Sequence, residues 1–436
     1  MTRLSAPAKT DAIASFQSVH GIGVACALAA GVWLGAAEAP TKLVNSGLSP
    51  YAISLCMVAG VFTARWTVPT LLKGTRYVFA DLALNKHLIL NAVLAGMLWA
   101  VANTLTVFAI RDVGLTIAFP LWNTNSLVGI LWGRLLFGEL KGASARNVIK
   151  VVLGAVAIVV AAVMLGFSTI QGGGTHASHA VGGILAAAGA SLMWGTMYVP
   201  YRKAYISGMN PLSFVTIFTI GELGTCFALV LALDGGTKAA IFHSPETMHL
   251  IFWLFLGGFV WVIGDLFQQF ATKYLGIGRA IPLSNTNQLW GLAWGALVFG
   301  ELAHADWSHR LLVVAGSVVM ILGALAVSTA VATAREHASV NDALLRECRR
   351  YTLDYDRVLQ SFSGAAPDER SDQSDRRSWW DYAIVAAAVS VFVYLGWNAK
   401  VPALGMDFAW LSVLVVILVA AALLSGWGLW KATRFS

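Results

Sequence analysis

"FPLWNTNSLVGILWGRLLFGEL" runs from Phe119 to Leu140, and "IPLSNTNQLWGLAWGALVFGEL" runs from Ile281 to Leu302. Both read PL, NTN, WG and FGEL in one register, with Pro120 matched to Pro282, Asn123 to Asn285 and Glu139 to Glu301. Neither is polar enough for a surface loop. Followed outward, His87–Leu140 aligns without gaps on His249–Leu302 with roughly two dozen identities. Trp99 falls on Trp261, Asn103 on Asp265 and Gly114 on Gly276. Further upstream, "APTKLVNSGLSP" (39–50) echoes "VPYRKAYISGMNP" (199–211), with one residue inserted before Lys203. Shared apolar composition alone does not produce so many coincidences, so the chain carries an internal duplication.

Composition identifies the solvent of these segments. The chain is 58% hydrophobic and 12% charged, with mean hydropathy +0.71, against roughly 25% charged residues in soluble domains. Many apolar runs approach the ~20 residues a helix needs to cross a ~30 Å hydrocarbon core. We read twelve, at 19–40, 51–72, 88–110, 114–137, 148–167, 181–201, 209–233, 249–271, 276–299, 310–332, 380–397 and 409–430. The fold predicted is an all-α integral membrane protein. The polar start, MTRLSAPAKTDAIASFQS, shows no small-residue cleavage site, so no removable signal peptide is expected. Cys26, Cys56 and Cys226 fall in apolar runs and Cys348 in a polar one, with no CxxC pair or disulfide framework.

The net charge of +7 reflects loop placement rather than a nucleic-acid surface. Lys73, Arg76 and Lys86, then Lys141, Arg146 and Lys150, then Arg202 and Lys203, then Lys273 and Arg279 sit on alternate loops. The loop STIQGGGTHASHAVGG has no Lys or Arg, and Lys42, Arg111, Lys238 and Arg310 are the exceptions. The positive-inside rule then puts both termini in the cytoplasm, with the chain in the inner membrane. An odd number of spans separates the two FGEL exits, which therefore emerge on opposite faces. The repeat is inverted. Its five-helix units cover 19–167 and 181–332, between a tail (1–18) and a cytoplasmic polar linker (333–378) leading to a two-helix hairpin and short tail (379–436). Inverted repeats occur in secondary transporters, where two half-folds exchanging conformations open one midplane site to either side. A duplication that merely built a stable bundle is the alternative.

"LAGMLWAVANTL…VGLTIAFPLWNTNSLVGILWGRLLFGELKG" and "LGGFVWVIGDLF…LGIGRAIPLSNTNQLWGLAWGALVFGEL" resemble the third and fourth helices of each half of the bacterial glucose/ribose uptake family. The L-rhamnose–proton symporters are relatives within the drug/metabolite transporter superfamily. The matching features are the glycine–tryptophan start of one helix, the small-residue start of the next and its G-E exit. The resemblance spans about 19–332 and implies ten helices in two inverted halves. It also implies uptake of a neutral monosaccharide, often proton-coupled. The last two predicted helices depart from that plan.

Read independently of the family, positions i, i+4 and i+7 share a helix face. Trp261, Asp265 and Gln268 therefore form one stripe, and Trp99, Asn103 and Thr106 its repeat partner. A sugar has an apolar C–H face and a hydroxyl rim, which an indole beside amides or a carboxylate complements. Simple bundle packing is the alternative. Asn123 and Asn125, with Asn285 and Asn287, lie at mid-span after Pro120 and Pro282. Each proline frees a carbonyl that an amide or a bound polyol can satisfy; an interhelical hydrogen-bond knot is the other reading. Gly129/Trp132/Gly133 and Gly291/Trp294/Gly295 read as packing seams.

Three acids stand within the apolar runs. Glu222 ("TIGELGT") and Asp265 are candidate proton-coupling sites, because a charge at this depth is costly. The alternative is a structural ion pair, although no Lys or Arg sits at the depth of Glu222. Glu38 and Tyr198 are assigned to a gate. Arg134, Lys273 and Arg279 lie toward the inner ends of the spans and Arg111 toward the outer, so the central stretches lack the basic cluster that phosphates favour, which argues against phosphorylated cargo. Glu139 and Glu301 read as helix-end caps or pairs. His176 and His179 alone are a weak metal signal, and no metal or cofactor is expected. No Walker A loop or nucleophile–base constellation appears, so the chain is not expected to be an enzyme.

Within 333–378, Leu344, Leu345, Cys348, Tyr351 and Leu359 recur at helical spacing, predicting a short amphipathic helix before a disordered second half. The leading functional expectation is an alternating-access importer of a neutral monosaccharide. The others are an exporter or carrier of other small polar metabolites, and a membrane ligand sensor signalling through 333–378.

Overall fold

The structure is a computed structural model describing residues 9–37, 39–40, 48–113, 118, 121–167, 180–236, 245–300, 302, 306–363, 377–400 and 405–435. Among these, every regular element is helical, and ten helices are long and apolar enough to cross a bilayer. The protein is an all-α, multi-pass membrane protein. The first half contributes α1 (Lys9–Ala36), α2 (Pro50–Leu72), the short α3 (Thr75–Leu84), α4 (Ile89–Val113), α5 (Asn125–Leu136) and α6 (Ala145–Phe167). The second contributes α7 (Ala180–Ile206), α8 (Pro211–Leu233), α9 (Pro245–Leu275), α10 (Ile277–Ser284), α11 (Asn287–Ala293), a π turn (Trp294–Val298) and α12 (Trp307–Ser328). Then come α13 (Ala334–Tyr351), α14 (Tyr355–Ser363), α15 (Trp379–Asn398) and α16 (Phe408–Thr433).

Duplicated sequence makes duplicated local structure. α2 and α8 both begin with a capping side chain followed by proline at the first helical position, where the missing N–H is no loss. Ser49 Oγ accepts from Ala52 N, and Asn210 Oδ1 accepts from Leu212 N. The interhelical pairings also come in equivalents: α1 on α9 and α7 on α4, α2 on α9 and α8 on α4, α1 on α11 and α7 on α5. Two of these crossings are made by glycine. A Cβ on Gly60 or Gly258 would stand 1.9 Å from a carbonyl oxygen of the facing helix, Phe255 or Met57 respectively. Gly96 and Gly221 repeat the arrangement on α4 and α8, with Phe218 O at 2.0 Å and Val93 O at 2.1 Å. Only backbones without side chains approach so closely.

The doubled phrase does not form two continuous spans. In its second copy α10 ends at Ser284, α11 starts at Asn287, and a π turn follows. Pro282 withholds an amide, and the hydroxyls of Ser284 and Thr286 bond back to Ile281 O and Leu283 O, which loosens the ladder. In the first copy α5 starts only at Asn125, with Thr124 Oγ1 bonded to Leu121 O in the same manner. Residues 114–117, 119 and 120 lie outside the described residues.

One expectation about the C-terminal part changes. α15 and α16 do not pack on each other as a hairpin among the described residues: α15 lies on α2 and α9, and α16 on α1 and the π turn. Both are apolar on nearly all sides and mostly exposed, so lipid can cover them without their packing on each other. Polar residues pin α15 in place: Asp381 accepts from Thr75 N (2.8 Å) and Thr75 Oγ1 (2.6 Å), and Arg377 donates to Thr70 O and Leu71 O. Residues 334–363 hold the expected helix and a second one, both docked on the bundle, with Leu344 and Cys348 buried in the main core. The predicted disordered half, 364–376, lies outside the described residues.

Candidate functional site

The two broken helices meet. Asn285 Nδ2 donates to Asn125 Oδ1 (2.9 Å) and to Asn123 O (3.3 Å), so the NTN of one copy satisfies the NTN of the other. Beside this junction is a cavity of about 400 Å³, within the range of small-molecule sites. Trp99, Asn103, Asn123, Asn125, Trp261, Gln268, Asn285 and Asn287, all candidates from the sequence, line it. The gate candidate Tyr198 lines it too and donates to Gln268 Oε1 (3.2 Å), while Gln268 Nε2 donates to Ser284. Glu38 lies outside the described residues, as do Glu301, His176 and His179. Toward the ends of α1 and α4 and the start of α2, the lining turns aliphatic, with Leu34, Ile53, Met57, Val107 and Ile110.

Four indoles give the cavity its walls. Trp99 and Trp261 meet edge to face at 5.0 Å, and Trp122 and Trp194 at 6.0 Å. None of the described lining residues is charged. Three buried donors of this lining have no acceptor among the described residues: Trp99 Nε1, Trp194 Nε1 and Asn123 Nδ2. Leaving such groups unmade is costly, so the cavity suits an uncharged solute rich in acceptor oxygens.

The acids are elsewhere. Asp265 shares a helix with Trp261 and Gln268 but does not line the cavity, and neither does Glu222. Both are fully buried and grip one guanidinium: Arg65 Nη1 lies 2.7 Å from Glu222 Oε2, and Arg65 Nη2 lies 2.7 Å from Asp265 Oδ2. This corrects the expectation that no cation reaches the depth of Glu222. Arg65 sits in the second half of α2, level with Thr216 of α8, which donates to its carbonyl, and its long side chain spans the gap. The guanidinium also packs over Phe218 (4.3 Å) and Trp261 (5.4 Å). Gln269 donates to Asp265 Oδ1, and Tyr205 to Gln269, while the Thr219 hydroxyl lies beside the Glu222 carboxyl. One arginine inside "VFTARWTV" was the available signal, since lone charges in apolar spans mark function.

Past this knot, toward α13, Glu139 accepts from Ile277 N (3.0 Å) and Gly278 N (2.9 Å) and pairs with Arg202 (3.2 Å). The first helix-end glutamate of the doubled phrase thus caps α10, which begins the second copy.

Residues 48–168 and 185–351, about two thirds of the chain, match a family profile described as "Sugar transport protein". The chain belongs to the sugar transport protein family. The profile covers both sets of cavity-lining helices from α2 onward and ends with α13, so the sugar transport protein family match takes in Arg65, Glu139 and Glu336 but not α14, α15 or α16. Among relatives, a "Putative sugar uptake protein" of Streptococcus pyogenes serotype M1 is 42% identical over 80 residues, 18% of this chain and 26% of that one. The matched stretch thus spans about a quarter of that relative's length. A "Putative sugar uptake protein" of Listeria innocua serovar 6a is 24% identical over 241 residues, 54% of this chain and 77% of that one. Another of Enterococcus faecalis is 25% identical over 128 residues, 29% of this chain and 40% of that one.

Proposed function

We propose that this chain is a secondary transporter that imports a neutral monosaccharide across the cytoplasmic membrane, by alternating access and with protons as the coupling ion. The observation that carries this reading is the uncharged, indole-walled cavity with unmatched donors at the junction of two broken helices. Broken helices meeting mid-bundle characterise transporter sites, because irregular backbone is tolerated in a membrane only where it lines a cavity. The paired glycine crossings support two equivalent halves about that site, and the alternation of Lys and Arg between loops supports both termini in the cytoplasm.

The coupling element in this reading is the knot of Arg65, Glu222 and Asp265. Two carboxylates face one guanidinium with no exposure to solvent, and no second cation among the described residues pairs with them. An unmatched charge at that depth is expensive, so one proton per knot gives the neutral, stable occupancy. Protonation state reaches the cavity through Trp261, which Arg65 packs against. Glu222→Gln or Asp265→Asn is expected to leave sugar exchange within about twofold of the parent while abolishing uphill accumulation driven by a pH gradient. Accumulation unchanged in both variants rejects the coupling role.

The decisive experiment is a labelled-monosaccharide panel in proteoliposomes, with and without a pH gradient. No uptake of any monosaccharide under either condition rejects the function. The aliphatic side of the cavity favours a second reading, carriage of a more amphipathic polar metabolite, and competition by such solutes against the panel separates the two. A smaller test concerns the donors: Trp99→Phe keeps an aromatic ring, smaller than the indole, and removes the N–H, and is expected to weaken sugar binding about tenfold. Equilibrium binding followed by tryptophan quenching measures it; unchanged affinity excludes Trp99 Nε1 as a sugar donor.

A further inference from the structure

On the side facing α13 the cavity is sealed by two successive bolts, both made of buried charge. The first is Glu139, which is 2% exposed. It holds the first amides of α10, and it holds Arg202 of α7, whose Nη1 donates to Thr272 O (3.0 Å) and Lys273 O (2.7 Å). Gly276 makes the approach possible, with φ +83° and space for no Cβ, which would fall 2.6 Å from the Glu139 carboxyl. The other end of α10 presents Ser284 and Asn285 to the cavity junction, so a shift of α10 is felt at the site.

The second bolt lies directly over the first. Glu336 of α13 grips Arg279 with both oxygens (2.6 and 2.9 Å) and accepts from Leu140 N (3.1 Å). It therefore ties the residue after Glu139 to the residue after Gly278. The rest of α13–α14 spans both halves: Thr333 donates to Gly142 O, Lys203 donates to Tyr351 OH, Tyr351 stacks on His87, and Phe362 lies under Arg202 at 5.0 Å.

We propose that the Glu139–Arg202–α10 junction is the closed gate of this face, and that Glu336 of α13 is the latch whose release from Arg279 and Leu140 N lets the gate open. This rests on the alternating-access reading above. None of these residues touches the cavity, so they gate rather than bind. Charged pairs suit such a seam. Each group that leaves its partner gains water in exchange, so open and closed states differ little in free energy, whereas parting an apolar seam recovers nothing.

The test needs no sugar, so its outcome is independent of the substrate panel. In the whole chain in detergent, Thr272→Cys places a thiol on the residue whose carbonyl accepts from Arg202, at a position with 0% exposure. Maleimide labelling is followed site by site by mass spectrometry, with the natural buried Cys56 as reference. Glu139→Gln or Glu336→Gln, added to Thr272→Cys, is expected to raise labelling at position 272 about tenfold or more, with labelling of Cys56 unchanged. Glu336→Gln is also expected to expose the natural Cys348 on α13. Arg279→Lys, which keeps the charge but loses the two-pronged grip, is the milder variant and is expected to give a smaller rise. Labelling at 272 that stays at the parent rate in all three variants overturns the gate. So does a rise that Cys56 shares, which would mean a loosened fold.

Discussion

Replacing Arg65 by leucine is expected to cost about 3–5 kcal/mol of stability, the usual penalty for removing one partner from a buried ion pair. The variant keeps a similar apolar stem but strands Glu222 and Asp265 with no exposure to water. The expected observation is a large drop in melting temperature in detergent, with loss of uptake. The cause is separable from packing. Adding Glu222→Gln and Asp265→Asn to Arg65→Leu removes every charge from the knot and is expected to recover most of the loss. A triple variant no more stable than Arg65→Leu alone would instead assign the effect to the lost contact with Phe218 and Trp261.

The second large effect is expected at the glycine crossings. Gly258→Val has to place a branched side chain where Met57 O lies 1.9 Å from the first carbon, and Gly96→Val meets Phe218 O at 2.0 Å. A backbone carbonyl inside a helix cannot rotate away, so α9 must part from α2, or α4 from α8. Overpacking of a well-filled core costs about 1–3 kcal/mol where side chains can adjust, and here they cannot. Each variant is expected to fail to give a monodisperse protein by size exclusion, with matching severity at Gly60 and Gly221. Gly182→Val and Gly224→Val, where a Cβ meets nothing within 4 Å, are the controls and are expected to behave as the parent. Tolerance of Gly258→Val alongside those controls would mean that the crossing is held by something other than close backbone approach.

How far such features can be read from the chain alone depends on what sets them. Apolar length fixes the spans, and ten of the twelve expected segments appear as long helices. The other two, 114–137 and 276–299, carry the doubled phrase, where Pro282 and the hydroxyls of Ser284 and Thr286 turn an expected kink into a break. Residues facing a common cavity were legible because the two copies supply matched polar positions on matched faces, as with Trp99 and Trp261. Asp265 shows the limit of facing rules: it shares the stripe of Trp261 and Gln268, yet turns to Arg65 because a neighbouring helix supplies a cation. Which helix lies alongside is a tertiary fact. The same reason hid Trp122 and Trp194, and the separate resting places of α15 and α16. Helical spacing in 334–363 was visible, but that α13 would be pinned by Glu336 to Arg279 depends on the loops it lands on.

The suture between α15 and the α2–α3 corner has a consequence for biogenesis. The last carbonyls of α2 and the first amide of α3 find their partners in Arg377 and Asp381, some 300 positions downstream. At ribosomal speeds of ~5–20 residues per second, roughly 15–60 s separate the emergence of that corner from the arrival of the groups that complete it. Until then the corner has only its own backbone bonds, such as Gly74 N to Thr70 O (2.9 Å), and lacks the side-chain partners of the folded protein. The groups that complete the α2–α3 corner thus belong to a helix and its lead-in synthesised well after it.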